Sequence, residues 1–107
     1  MGMNQSQQPE PMPELINVME YVVSAMVEDV LKEEQMCACA QCRLDVMAIA
    51  LNNLPPKYVV TAQGKAYETY KLQGLPQSRI AVYQAVLHAA HLVKERPRHG
   101  EERKFRE

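Results

Sequence analysis

The sequence predicts an all-α fold: a small bundle of three longer helices plus one short helix, with a cysteine knuckle between the first two. Three observations carry that expectation. Apolar residues recur at helical spacing over three long stretches, prolines and glycines separate those stretches, and all three cysteines fall between Cys37 and Cys42. With 107 residues the chain has room for one domain. Residues 1–12 are polar and proline-containing and are expected to be disordered, 13–95 to form the helical domain, and 96–107 to form a charged tail. A folded core of this size buries a modest share of its surface and often gains stability from a metal or a second copy.

The first helix is expected to start near Pro13-Glu14, since proline is tolerated in a first helical turn. Leu15, Met19, Val22, Met26 and Val30 form one apolar stripe, and Ile16, Val23, Val27 and Leu31 form a second. A lone surface helix needs one stripe, so the doubled face predicts a helix gripped on two sides, across a homodimer. The second helix is expected from about Gln41 to Leu54, with Leu44, Met47, Ala48 and Leu51 sharing one face and Val46, Ile49 and Ala50 widening it. Pro55-Pro56 ends it, because the residue before a proline avoids helical dihedrals and two prolines remove two donors. Tyr58 to Thr61 read as an extended connector. Lys65 to Leu72 read as the short helix, broken by Gly74 and Pro76. The last helix is expected from an N-cap at Ser78 to about Glu95, burying Ile80, Tyr83, Leu87 and Ala90.

Formal net charge is −1, but the distribution is uneven: Lys94 to Glu107 holds six basic and four acidic residues. A tail of local charge +2 reads as a solvated segment rather than a nucleic-acid arm. No apolar run reaches the ~20 residues of a membrane span, and the N-terminus shows no secretory pattern. Three clustered cysteines cannot make a disulfide framework, so a cytoplasmic, reduced protein is expected.

Three soft thiolates on one short knuckle suit one structural Zn²⁺. Cys39-x-x-Cys42 has knuckle spacing, Cys37 reaches in from the preceding segment, and Cys42 should sit in the first turn of the second helix, where the dipole favours a thiolate. A tetrahedral ion wants a fourth ligand. His88 and His91 share a largely polar helix face and read as solvated, so His99 is favoured, with water or Glu33 as alternatives. A redox pair at Cys39 and Cys42, an iron–sulfur cluster and plain buried cysteines are the competing readings; a cluster usually needs four cysteines. No nucleophile–base pair, phosphate loop or paired-carboxylate site stands out, so no enzymatic activity is expected.

Two stretches, "LINVMEYVVSAMVEDVL" and "CRLDVMAIALNNLPPKYVVT", resemble the bacterial late competence protein family, ComFB. Asn17-Val18-Met19-Glu20 carry the first part of the pattern. Cys42-Arg43, Asp45-Val46, Ala48, Ala50-Leu51-Asn52, Leu54-Pro55-Pro56 and Tyr58-Val59 carry the second. The resemblance implies a small, all-helical, dimeric protein. It implies zinc held by the cysteine cluster and by one cysteine beyond the last helix. That cysteine is absent here, and His99 falls near its place. It also implies a signalling role, since members have been described as receptors for cyclic dinucleotides, chiefly cyclic di-GMP.

A cyclic dinucleotide offers two phosphates and two flat purines, and asks for cations, planar side chains and acceptors. Arg43 and Asp45 near the start of the second helix, Lys57, Tyr58 and Thr61 after the prolines, and Arg79 at the last helix supply those types. The expectation is a pocket shared by these six, in a protein that relays its state to a protein partner. The alternative is a zinc-stabilised structural or adaptor protein of the DNA-uptake programme that binds no nucleotide.

Overall fold

The computed structural model describes residues 14–98. The elements run β1 (Ile16–Asn17), α1 (Val18–Glu33), α2 (Ala40–Asn52), β2 (Tyr58–Val59), α3 (Ala62–Gly74) and α4 (Pro76–Glu95). Four helices and a two-residue ribbon replace the expected three long helices and one short. At 13 residues, α3 equals α2 in length.

α1 starts at Val18 because Asn17 caps it. The Asn17 side-chain oxygen accepts from the backbone N–H of Met19 at 3.1 Å and of Lys57 at 2.8 Å. The N–H of Val18 donates to the carbonyl of Lys57 at 2.7 Å. These bonds zip Ile16–Asn17 antiparallel to Tyr58–Val59, in the register Ile16 to Val59 and Asn17 to Tyr58. The post-proline connector is therefore pinned to the entry of α1, and Leu15 is left exposed.

α1 buries Val18, Met19, Val22, Val23, Val27, Val30 and Leu31, and packs against α2, α3 and α4. Apart from the exposed Leu15 and the half-buried Ile16 and Met26, both stripes are buried within one chain, so the doubled face no longer argues for a dimer. The core is dominated by valine: Val46, Val82, Val86 and Val93 join those of α1. Valine loses side-chain freedom in a helix, so these helices depend on packing more than on propensity. Ala50, Ala89 and Ala90 are fully buried, and their small side chains let α2 and α4 approach closely.

The buried line of α2 is Cys42, Val46 and Ala50, one residue every helical turn. Leu44, expected on a shared apolar face, is 61% exposed, and Ile80 of α4 is likewise exposed. α3 begins at a Thr61 cap whose hydroxyl accepts from Gly64 N–H at 2.9 Å. A Cβ on Gly64 would lie 3.0 Å from that hydroxyl and 3.3 Å from Val59 Cβ, so glycine lets the first turn of α3 seat against β2. α4 begins with Pro76 in its first turn and has no side-chain cap; Ser78 lies inside it.

α1 ends in a turn that aims the chain at the knuckle. Gln35 N–H donates to Lys32 C=O at 3.1 Å and Met36 N–H to Leu31 C=O at 3.2 Å, with Gln35 at φ 52°. This is the paired bonding that helices usually close with glycine. Gln35 carries the steric cost of the left-handed region, so Gln35→Gly is expected to stabilise the fold by about 1 kcal/mol, offset in part by added unfolded-state freedom. Thermal unfolding should show a rise of roughly 5 °C.

Candidate metal centre and ligand surface

Cys37, Cys39 and Cys42 place their sulfurs within 4.8 Å of one another. The sequence explains why. The Schellman-type turn at Gln35 reverses the chain, Met36 packs against the core, and Cys39 takes the N-cap position of α2. Cys39 Sγ accepts from Cys42 N–H at 3.4 Å. Cys37 is exposed, Cys39 half-buried and Cys42 buried. That hydrogen bond from Cys42 N–H is the largest influence holding the Cys39 thiol below its usual range. Burial, joined by the neighbouring thiols, pushes Cys42 up to about 12. The thiolate-favouring helix end therefore acts on Cys39, not on Cys42 as the sequence suggested.

The donor set fits zinc. Zn–S bonds of about 2.3 Å in a tetrahedron put sulfurs about 3.8 Å apart, so the cluster needs only a slight contraction. Among the described residues no histidine or carboxylate joins the three sulfurs. Glu33 accepts from the Tyr83 hydroxyl at 3.0 Å. His91 Nε2 meets Glu34 Oε1 at 3.0 Å, where Lys94 also binds the Glu34 backbone, and His88 is exposed. His99 lies outside the described residues.

Arg43 supports this knuckle. Its Nε and Nη2 grip the Glu28 carboxylate at 2.6 and 3.2 Å, and its Nη1 donates to the carbonyl of Ala38, between two of the cysteines. The pair lowers Glu28 below the usual carboxylate range and raises Arg43, whose charge also faces Cys39. Three thiolates and one Zn²⁺ sum to −1, and Arg43 is placed to offset that charge. Sequence reading missed Glu28, since nothing local links residues 15 apart on different helices.

The six ligand candidates do not share one pocket within the chain. Asp45 accepts from Gln41 at 3.0 Å, lies 3.7 Å from Arg98, and edges a small hollow between α2 and α4. Arg79 lines an open groove of about 540 Å³ among α1, α3 and α4, beside Asp29 and Glu33. Lys57 lies at the other end of α1 from Arg43. Ten residues of α1 separate their contacts at Val18 and Glu28, which is about 15 Å of helix.

Lys57, Tyr58 and Thr61 follow one another closely along the chain, with Tyr58 on β2 and Thr61 at the cap of α3. Tyr58 pairs with Asn17 and is 57% exposed. One turn along α1 from Asn17, Tyr21 is 50% exposed, and Lys65 of α3 lays its ammonium 3.8 Å from the centre of that ring. The Tyr21–Lys65 pair was not legible in the sequence. The Tyr21 ring and the Lys65 ammonium thus meet beside the first turn of α3, with Tyr58 exposed on β2.

The family model described as "Late competence development protein ComFB" matches residues 16–97. The chain belongs to the ComFB family. Among solved structures it is similar to the late competence protein ComFB from Bacillus subtilis, at 29% identity and a TM-score of 0.71. The likeness covers 78% of this chain and 92% of that one. No curated protein matches the chain at a significant level. The ComFB match spans both the cysteine knuckle and the Lys57–Thr61 surface. No helix among the described residues is long and apolar enough to cross a membrane.

Proposed function

We propose that this ComFB protein is a non-enzymatic regulator that binds a cyclic dinucleotide, chiefly cyclic di-GMP, and relays the bound state to a protein partner. The observation that carries the proposal is the surface at the start of α3. Tyr58 and Tyr21 offer stacking faces, and Lys57 and Lys65 offer cations. The first amides of α3 add a site that favours a phosphate, with Thr61 capping the turn. A two-fold ligand is best served by two such surfaces, which supports action as a homodimer in the cytoplasm. The exposed Tyr67, Tyr70 and Leu75 supply apolar area for that contact.

A structural Zn²⁺ completes the proposal, held by Cys37, Cys39 and Cys42 with His99 in the fourth position. Arg43 then serves the metal site rather than the nucleotide. Arg43→Ala is expected to weaken zinc affinity about 10-fold, as read by competition with a metal-binding dye.

Calorimetric titration with cyclic di-GMP, beside cyclic di-AMP and linear GMP, tests the nucleotide part. Saturable binding that Lys57→Ala and Tyr58→Ala each weaken at least about tenfold, roughly 1.4 kcal/mol, supports it. The second reading is an adaptor of the competence programme without a nucleotide. The dispersal of Arg43, Asp45 and Arg79 favours it, and absence of heat with all three nucleotides would select it.

A further inference from the structure

We propose that the knuckle is also an oxidation site: on meeting a hydroperoxide, Cys39 and Cys42 close into a disulfide and the metal is released. Three observations point to this pair. The three sulfurs already lie within 4.8 Å of one another, so a bridge needs little movement of the chain. Cys39 is the N-cap of α2 and Cys42 sits in its first turn, with Cys39 Sγ 3.4 Å from Cys42 N. The helix turn holds these two in register, whereas Cys37 stands on the non-helical segment before it. Access orders the pair as well: Cys39 is half-buried and Cys42 only 1% exposed, so of these two an oxidant meets Cys39 first and Cys42 resolves it from inside, while the more exposed Cys37 stands outside the helix turn that holds the pair in register.

The chemistry balances in two steps. The Cys39 sulfur attacks the peroxide O–O bond. An S–O bond forms and the O–O bond breaks. The sulfur is oxidised to a sulfenic acid, and the peroxide is reduced to an alcohol, or to water when it is hydrogen peroxide. The Cys42 sulfur then attacks the Cys39 sulfur. An S–S bond forms, the S–O bond breaks, and hydroxide leaves with the thiol proton as water. Two of three sulfur ligands are consumed, and Cys37 with the proposed fourth ligand leaves only half of a tetrahedral set, too few to hold the ion. This rests on the zinc reading above only for the release of metal.

The test treats the zinc-loaded full chain with hydrogen peroxide, follows zinc with a chelating dye, and maps thiols by alkylation and mass spectrometry. Trypsin leaves all three cysteines in one peptide, Glu33 to Arg43. The expected result is stoichiometric zinc release. The peptide should lose two hydrogens and keep one alkylatable thiol, at Cys37. Reductant should reverse both changes. Cys37→Ser should still form the bridge, and Cys42→Ser should stop at a sulfenic acid that dimedone traps on Cys39. Zinc retained under peroxide, or a bridge that leaves Cys39 or Cys42 as the surviving thiol, overturns the proposal. If the chain holds no zinc, the same mapping on metal-free protein decides the disulfide, separating that failure from failure of the metal reading.

Discussion

Stripping the proposed zinc from the protein is expected to lower its melting temperature by about 20 °C. A ligand present at a thousand times its dissociation constant stabilises by about 4 kcal/mol, and each kcal/mol shifts a domain of this size by roughly 4–8 °C. The effect is large because the ion would tie together a segment otherwise held by a few hydrogen bonds and by Met36. Met36 packs on the core, the turn at Gln35 is costly for a non-glycine residue, and Cys37 is exposed. Without metal, burial keeps the Cys42 proton in place up to about 12. Binding must displace that proton, so zinc affinity should fall as pH is lowered. Cys37→Ser should remove most of the shift. A melting curve indifferent to zinc would return the cluster to three ordinary thiols.

Asn17→Ala is expected to cost about 3 kcal/mol, roughly 15 °C in thermal unfolding. One side-chain oxygen serves two donors, Met19 N–H at the start of α1 and Lys57 N–H across the ribbon. Loss of a helix cap costs about 1 kcal/mol, and a partly buried N–H left without a partner costs about 1–3 more. Asn17→Asp keeps that acceptor oxygen and should cost well under half as much. If the two variants behave alike, the side-chain oxygen is not what joins α1 to β2. The same variants reach the proposed ligand surface, since Asn17 fixes the backbone of Lys57 and Tyr58. Asn17→Ala should therefore weaken nucleotide binding even below its melting temperature.

The helical class, the helix pair flanking the knuckle and the break at Pro55-Pro56 were legible, because spacing and proline chemistry act locally. The face of α2 was not. Leu44, Val46, Met47, Ile49 and Leu51 surround that helix almost completely, so periodicity alone gave no direction. The buried line starts at Cys42, a residue type that favours the interior and pointed to the correct face. The length of α3 was hidden by its polar composition and by Gly64, which reads locally as a turn. The start of α1 was set by a cap at Asn17 that outweighs the proline signal upstream.

The site divides in the same way. Close sulfurs follow directly from the spacing of three cysteines in six residues. Arg43, assigned to a phosphate on sequence, is instead held by Glu28 and Ala38, a contact that only the packing of α1 on α2 creates. Lys57, Tyr58 and Thr61 adjoin one another along the chain, so their neighbourhood was legible in the sequence. Tyr21 and Lys65 were missed because their stacking joins helices 44 residues apart in sequence.

A cyclic dinucleotide is proposed to bind at the start of α3. A ¹H–¹⁵N spectrum of the zinc-loaded protein, titrated with cyclic di-GMP, tests it most directly. The account predicts the largest shifts at the amides of Lys57, Tyr58, Ala62, Gln63 and Lys65. The amides of Arg43 and Asp45, in α2, should hold nearly still. Shifts concentrated around Arg79 in the α1–α3–α4 groove, or a spectrum unchanged at saturating ligand, would contradict it.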